Sequence, residues 1–179
     1  MIAGKYRGKR LISPEDNRVR PTSDRIKETM FNILFSKGVG GGIKVLDLFA
    51  GTGALGIEAL SRGAEECVFT DIDVKSCALV RENLKITGIK GEVYHAEFKA
   101  AIPKLTGRKF DLILIDPPYK QNRECEIVNL IIEHGILAEN GVAVIEHDRE
   151  NLLAELDTRF SRDTRICGNT ALTFLSVAR

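Results

Sequence analysis

The chain lacks any apolar run close to the roughly 20 residues that cross a bilayer, so no membrane-spanning helix is expected. Its first residues, Met1-Ile2-Ala3-Gly4-Lys5-Tyr6-Arg7, lack the apolar core of a signal peptide, and a cytoplasmic location is the expectation. Cysteine is sparse. Cys67, Cys77, Cys125 and Cys167 lie far apart and form no Cys-x-x-Cys pair. They read as reduced thiols, and neither a disulfide frame nor a metal site is expected. Net charge is nearly absent, at +1, which by itself points to no polyanionic partner. No internal repeat or low-complexity tract interrupts the chain. Its 179 residues suffice for one domain with a sizeable core, expected as a monomer.

What charge there is falls unevenly. Residues 1–37 hold nine Lys or Arg against four Asp or Glu, while residues 38–179 hold 17 against 21. A basic arm on a mildly acidic body is a footprint for phosphate contact, or simply a solvated basic surface. The arm reads as a small hairpin over residues 2–13, then an extended loop over 14–21. A helix capped by Thr22 or Ser23 follows, with the stripe Ile26, Met30, Ile33 and Leu34. Gly38-Val39-Gly40-Gly41-Gly42 separates this extension, residues 1–37, from the main domain, 38–179.

Beyond that break strands and helices alternate. Strands are expected at 43–49, 67–71, 92–96, 110–115 and 142–146. Helices are expected at 54–62, 74–87 and 124–134, around Phe98, Ile102 and Leu105, and around Leu152, Leu153 and Leu156. Residues 164–167 and 172–177 alternate without a helix between them and read as an antiparallel hairpin around Gly168-Asn169. Repeated strand–helix units imply an α/β fold with a doubly wound, mostly parallel sheet.

Two stretches carry chemistry. The first is Val45-Leu46-Asp47-Leu48-Phe49-Ala50-Gly51-Thr52-Gly53-Ala54-Leu55-Gly56, an apolar strand, a glycine turn and a helix start. That arrangement brings backbone N–H groups up to a ligand. Gly51-x-Gly53-x-x-Gly56 is literally the dinucleotide fingerprint, and Asp71 lies near the place of its ribose-binding acid. Asp47, inside the strand, sits badly beside a pyrophosphate and suits a ligand bearing positive charge. The segment resembles motif I of S-adenosylmethionine-dependent methyltransferases. A ligand-free strand–helix turn is the plain structural alternative.

The second stretch is Asp116-Pro117-Pro118-Tyr119, directly after the fourth strand. In an open α/β sheet, ligands bind beyond the carboxyl ends of the strands, so this turn is expected beside Gly51 and Gly53. Asp116 and the Pro117 carbonyl are acceptors suited to an –NH2 group, and Tyr119 offers a face on which a base stacks. The tetrapeptide looks like motif IV of amino-methyltransferases.

The resemblance extends along the chain. Residues 2–11, Ile2-Ala3-Gly4-Lys5-Tyr6-Arg7-Gly8-Lys9-Arg10-Leu11, are followed by Arg20-Pro21-Thr22-Ser23-Asp24-Arg25-Ile26-Lys27-Glu28, Phe31-Asn32-Ile33-Leu34 and Gly168-Asn169-Thr170-Ala171-Leu172. Together they resemble the RsmD family, bacterial 16S rRNA guanine-N2 methyltransferases. The resemblance implies a seven-stranded Rossmann-like sheet with an antiparallel C-terminal hairpin. It implies S-adenosylmethionine held by Asp47, Phe49, Ala50, Gly51 and Gly53, with Asp71 on the ribose, Ile72 and Phe98 about the adenine and Glu97 on its amine. Asp116, Pro117 and Tyr119 are then the catalytic group. Small-subunit 16S rRNA, within an assembled or assembling subunit, is the implied partner. Arg7, Lys9, Arg10, Arg18 and Arg20 are expected on its phosphates, and Thr22 either caps its helix or faces RNA or cofactor. Three alternatives stay open: an adenine-N6 methyltransferase, a nicotinamide-dependent oxidoreductase and a non-catalytic RNA-binding module.

Overall fold

The computed structural model of the protein describes residues 1–13, 24–118, 123–151, 153, 156 and 159–177. In chain order the elements are α1 (Asp24–Ser36), β1 (Lys44–Asp47), α2 (Ala54–Ser61), β2 (Glu66–Asp71), α3 (Val74–Thr87) and β3 (Glu92–His95). There follow α4 (Phe98–Lys104), β4 (Phe110–Ile115), α5 (Glu124–Glu133), β5 (Leu137–Asp148), β6 (Phe160–Cys167) and β7 (Thr170–Val177). The strands form one sheet in the order β3-β2-β1-β4-β5-β7-β6. Strands β3, β2, β1, β4 and β5 pair in parallel, and β7 runs antiparallel to both β5 and β6. This is the expected doubly wound sheet with its C-terminal hairpin.

Alternation along each strand divides the core into two layers. Val45, Phe69, Leu112, Leu114 and Val144 pack with Met30 and Leu34 of α1, Ile57 of α2 and Val80 of α3. Leu46, Val68, Ile113, Ile115 and Ile145 pack with Ile102 of α4 and Ile127 and Ile131 of α5. The central strands are apolar on both faces because helices cover both.

Two expected elements are absent among the described residues. Residues 2–13 form turns instead of a hairpin. Gly4 and Gly8 take φ of +81° and +84°, and the chain folds back on itself through Arg7 N–H to the Gly4 carbonyl and Gly8 N–H to the Met1 carbonyl. No helix follows β5 in the described part of its connection. Leu153 sits at φ 48°, incompatible with an α-helix, and Leu152 lies outside the described residues. Leu153 is buried within the layer of α4 and α5, and Leu156 packs against the same layer. The fifth strand also begins earlier than expected, because Leu137 pairs with Phe110 ahead of a register shift.

The N-terminal turns are stitched to α2 and α3 by polar contacts. The Glu58 carboxylate, 1% exposed, accepts Ile2 N–H at 2.9 Å, Ala3 N–H at 3.0 Å and Arg62 Nε–H at 2.8 Å. Those donors offset the cost of burying its charge. Lys5 N–H donates to the Ser61 carbonyl at 2.7 Å, and Ser61 Oγ bridges Tyr6 N–H and the Ala3 carbonyl. Further along, the Asn83 side chain pairs with both backbone groups of Ile12 and donates to the Thr52 carbonyl at 2.9 Å. Gly4 is obligatory here. A Cβ on it would stand 1.8 Å from the Ser61 carbonyl oxygen.

Gly4→Ala is therefore expected to destabilise the protein by about 2–4 kcal/mol, since the clash adds to the cost of positive φ. Gly8→Ala meets nothing within 4 Å and should cost only about 1 kcal/mol. Urea unfolding of the two variants beside the parent measures the difference.

Candidate active site

The sheet reverses its winding between β1 and β4. These strands are neighbours, yet the chain leaves one toward β2 and the other toward β5. A crevice opens at such a point beyond the carboxyl ends of the strands. Asp47 is paired with Leu114, so the turn after β1 and the segment Asp116-Pro117-Pro118 emerge side by side.

The first turn is held by its own backbone. Ala50 N–H donates to the Thr70 carbonyl at 2.9 Å and Gly53 N–H to the Ala50 carbonyl at 2.6 Å. Gly53, at φ 78°, starts α2. Gly56 allows that helix to lie close on β2, because a Cβ there would meet the Phe69 ring at 2.3 Å and Cys67 Sγ at 2.7 Å. Phe49, Gly51 and Thr52 are half-buried, and Ala50 and Gly53 are buried.

Two carboxylates brace this turn. Asp47, 2% exposed, accepts Gly56 N–H at 2.9 Å. Burial pushes its pKa up to about 7, and the nearby charge of Asp71 adds to the rise while the Gly56 hydrogen bond opposes it. Asp71 ends β2 and accepts Gly51 N–H at 2.8 Å and Asp73 N–H at 2.8 Å. A carboxylate has about four acceptor positions, so Asp71 can serve the loop and a ligand hydroxyl together. Beside it Ile72 is 65% exposed, an apolar side chain open to stack on a ring.

The fourth wall differs from expectation. Phe98 is 2% exposed and belongs to the core under α4. Its ring contacts Phe49, with centroids 5.8 Å apart, and the Arg123 guanidinium lies over it at 4.5 Å. Phe98 therefore supports the crevice from beneath and offers no open face of its own. Glu97 precedes α4 and accepts Arg123 Nη2–H at 2.9 Å, and Arg123 Nε donates to Glu126 at 3.3 Å. Arg123 thus ties α5 to the Glu97 edge of the crevice. Sequence reading passed over it because a single arginine in a polar stretch carries no periodic signal.

Asp116 is half-buried, Pro117 buried and Pro118 exposed; Tyr119 lies outside the described residues. Of the expected RNA contacts, Arg18, Arg20 and Thr22 also lie outside them. Arg7, Lys9 and Arg10 are exposed. Lys9 Nζ donates to the Thr87 carbonyl at 3.0 Å, at the end of α3 remote from Asp71. That carbonyl lies one helical turn beyond Asn83, whose side chain donates to the Thr52 carbonyl of the glycine turn. Among the described residues no His, Cys, Asp or Glu cluster could hold a metal, and no helix is long and apolar enough to cross a membrane.

Comparison with known proteins adds to this geometry. A family model described as conserved hypothetical protein 95 matches residues 1–176. Bacillus subtilis YlbH is 41% identical over 159 residues, spanning 87% of this chain and 85% of the relative. Ribosomal RNA small subunit methyltransferase D of Escherichia coli is 32% identical over 162 residues, spanning 90% of this chain and 80% of the relative. The solved structure of Thermus thermophilus TTHA0928 superposes with a TM-score of 0.83 at 27% identity, covering 98% of each chain.

The raised pKa of Asp47 makes stability depend on pH. Folded Asp47 takes up a proton near pH 7, whereas in the unfolded chain it does so near 4. Its contribution is fully present below about pH 4 and is lost as pH rises through about 7. Asp47→Asn keeps an oxygen for Gly56 N–H without the charge. Its stability relative to the parent should climb between pH 4 and 8 by up to about 4 kcal/mol. Denaturant midpoints of both proteins across that range test it; parallel curves would show that Asp47 keeps its charge.

Proposed function

The chain belongs to the conserved hypothetical protein 95 family, the RsmD family, and on that premise we propose that it methylates the exocyclic N2 amine of a guanine in small-subunit rRNA, with S-adenosylmethionine as methyl donor. One observation carries the reading. The Asp47–Leu114 pairing sets Asp116-Pro117-Pro118 against the 49–53 turn at the point where the sheet reverses. An acceptor pair for an amine thereby borders a turn suited to a cofactor.

The residues present suit that cofactor better than a dinucleotide. Residues 47–53 contain no cation, and two carboxylates stand behind the turn, where a pyrophosphate would be repelled. A cationic amino-acid moiety instead relieves the burial of Asp47. Asp71 has acceptor capacity for ribose hydroxyls, and exposed Ile72 for the adenine face. Glu97 reaches the adenine amine with its remaining acceptor positions, and Arg123 fixes its orientation. When bound, S-adenosylmethionine supplies an electrophilic sulfonium methyl.

The protein's task is to make a poor nucleophile competent. The lone pair of an exocyclic amine is delocalised into its ring. Asp116 and the Pro117 carbonyl accept its two N–H bonds, which favours a pyramidal nitrogen and aims the lone pair out of the ring plane. Asp116 orients the amine and stabilises positive charge as it develops on nitrogen, and the amine loses its proton once methylation has made it cationic and acidic. Tyr119 provides the stacking face for a base turned out of an RNA loop. Residues 1–37 supply the basic extension, in which Arg7, Lys9 and Arg10 contact phosphates away from the reacting base.

Unmodified small ribosomal subunits incubated with labelled S-adenosylmethionine should yield N2-methylguanosine on digestion to nucleosides. Asp116→Ala should lower the rate by at least about 100-fold with cofactor affinity unchanged. Label in N6-methyladenine instead would retain the mechanism and replace the substrate. Lys9→Ala with Arg10→Ala should weaken RNA binding and reduce its salt slope by about one unit each. An unchanged slope would remove these two from the interface.

A further inference from the structure

Asparagine is a weak helix former, and its carboxamide is costly to bury without partners. Asn83 nevertheless lies inside α3 with 0% exposure. Its side chain bonds to the backbone of two segments far away in the sequence. Oδ1 accepts Ile12 N–H at 2.7 Å, and Nδ2 donates to the Ile12 carbonyl at 3.1 Å and to the Thr52 carbonyl at 2.9 Å. The first segment is the basic extension and the second is the 49–53 turn. The contact to Thr52 sets a peptide plane. With its carbonyl aimed at Asn83, the trans peptide Thr52–Gly53 turns its N–H the other way, onto the Ala50 carbonyl at 2.6 Å. The contact to Ile12 seats a segment of another kind. Residues 9–13 belong to no helix or strand, and side-chain contacts hold them on α3. Asn83 makes one of these, and Lys9 Nζ on the Thr87 carbonyl, one helical turn further on, makes another. An ammonium carries three N–H bonds, so Lys9 can keep this contact and take a phosphate as well.

We propose that Asn83 is a positioning residue that couples RNA binding to cofactor binding. RNA phosphates on Lys9 and Arg10 hold residues 9–12 against its carboxamide, and the carboxamide holds the 49–53 turn in the form that takes S-adenosylmethionine. This rests on the methyltransferase reading above and adds how the basic extension acts on the cofactor site. The Nδ2 amide carries two N–H bonds, one for each segment. When Ile12 leaves its seat, the carboxamide loses both bonds to that residue and is free to rotate, so the Thr52 carbonyl loses a fixed donor. With RNA in place the turn is already ordered when the cofactor arrives, and the cofactor binds without that entropic cost. Linkage makes the effect reciprocal: a cofactor that orders the turn tightens RNA binding by the same factor. No contact between RNA and cofactor is required.

The test is equilibrium binding of labelled S-adenosylhomocysteine, which has no methyl group to transfer, to the whole chain with and without saturating unmodified small subunits. The parent protein should bind it about 5- to 50-fold more tightly when subunits are present. Asn83→Asp keeps the size of the side chain and the acceptor for Ile12 N–H but removes the amide donors. Its ratio of affinities should fall to about one while subunits still bind. Ile12→Pro removes the N–H at the other end of the link and leaves Asn83 in place, and its ratio should fall likewise. A ratio of one in the parent would overturn the proposal whatever the variants do. So would a folded variant that keeps the parent's ratio, since a purely structural Asn83 lowers stability and leaves the ratio alone. Failure of the parent to bind either S-adenosylhomocysteine or subunits would instead defeat the methyltransferase reading, and the inference with it.

Discussion

The hydrogen bond from Gly56 N–H to the buried Asp47 carboxylate ties the end of β1 to the first turn of α2. Everything in the crevice is measured from that tie. It sets where the 49–53 turn emerges, and Gly56 can make it only because α2 lies tight against Phe69 and Cys67. A charge so deeply buried is a cost that a merely structural turn has no need of. Asp71 repeats the arrangement one strand away by holding Gly51 N–H. Two acids on one turn give it a negative character, which is unfavourable to a phosphate and favourable to a cation.

The same economy of acceptors runs along the next strands. Asp116 directly follows β4 as Asp47 and Asp71 end β1 and β2. Three acids thus line the sheet's carboxyl edge, those at β1 and β4 flanking the switch point. Donor-rich ligands suit such an edge. An amine suits the β4 portion, and a ribose with an ammonium suits the β1 and β2 portion. Arg123 is the cationic counterweight, covering Phe98 and fixing Glu97.

The N-terminal segment has two physical roles that its composition blurs. Its glycines and backbone amides belong to the fold, since Gly4 nests on the Ser61 carbonyl and Ile2 and Ala3 satisfy Glu58. Its cations Arg7, Lys9 and Arg10 remain exposed, Lys9 at the last turn of α3. A motif dense in both residue types therefore reads as one signal while serving two purposes. Ile12, bonded to the Asn83 side chain that also holds the Thr52 carbonyl, links the segment back to the 49–53 turn.

Local patterns determined much of this protein. Apolar alternation and 3.6-residue stripes located β4 and α3 to the residue, and the Gly168-Asn169 turn located the final hairpin. The glycine turn and Asp116-Pro117-Pro118 were legible because each couples a backbone requirement to chemistry within a few residues. Contacts between distant segments were not legible. Nothing near Gly4 announces Ser61, and the apolar spacing after β5 reads as a helix although Leu153 takes positive φ. The family resemblance put Phe98 beside the adenine, yet packing beneath Arg123 claimed it for the core. The meeting of the 49–53 turn with Asp116 came only from register: a strand's side chains alternate whatever lies beside it, but which segment emerges next to Asp47 depends on how β1 and β4 pair.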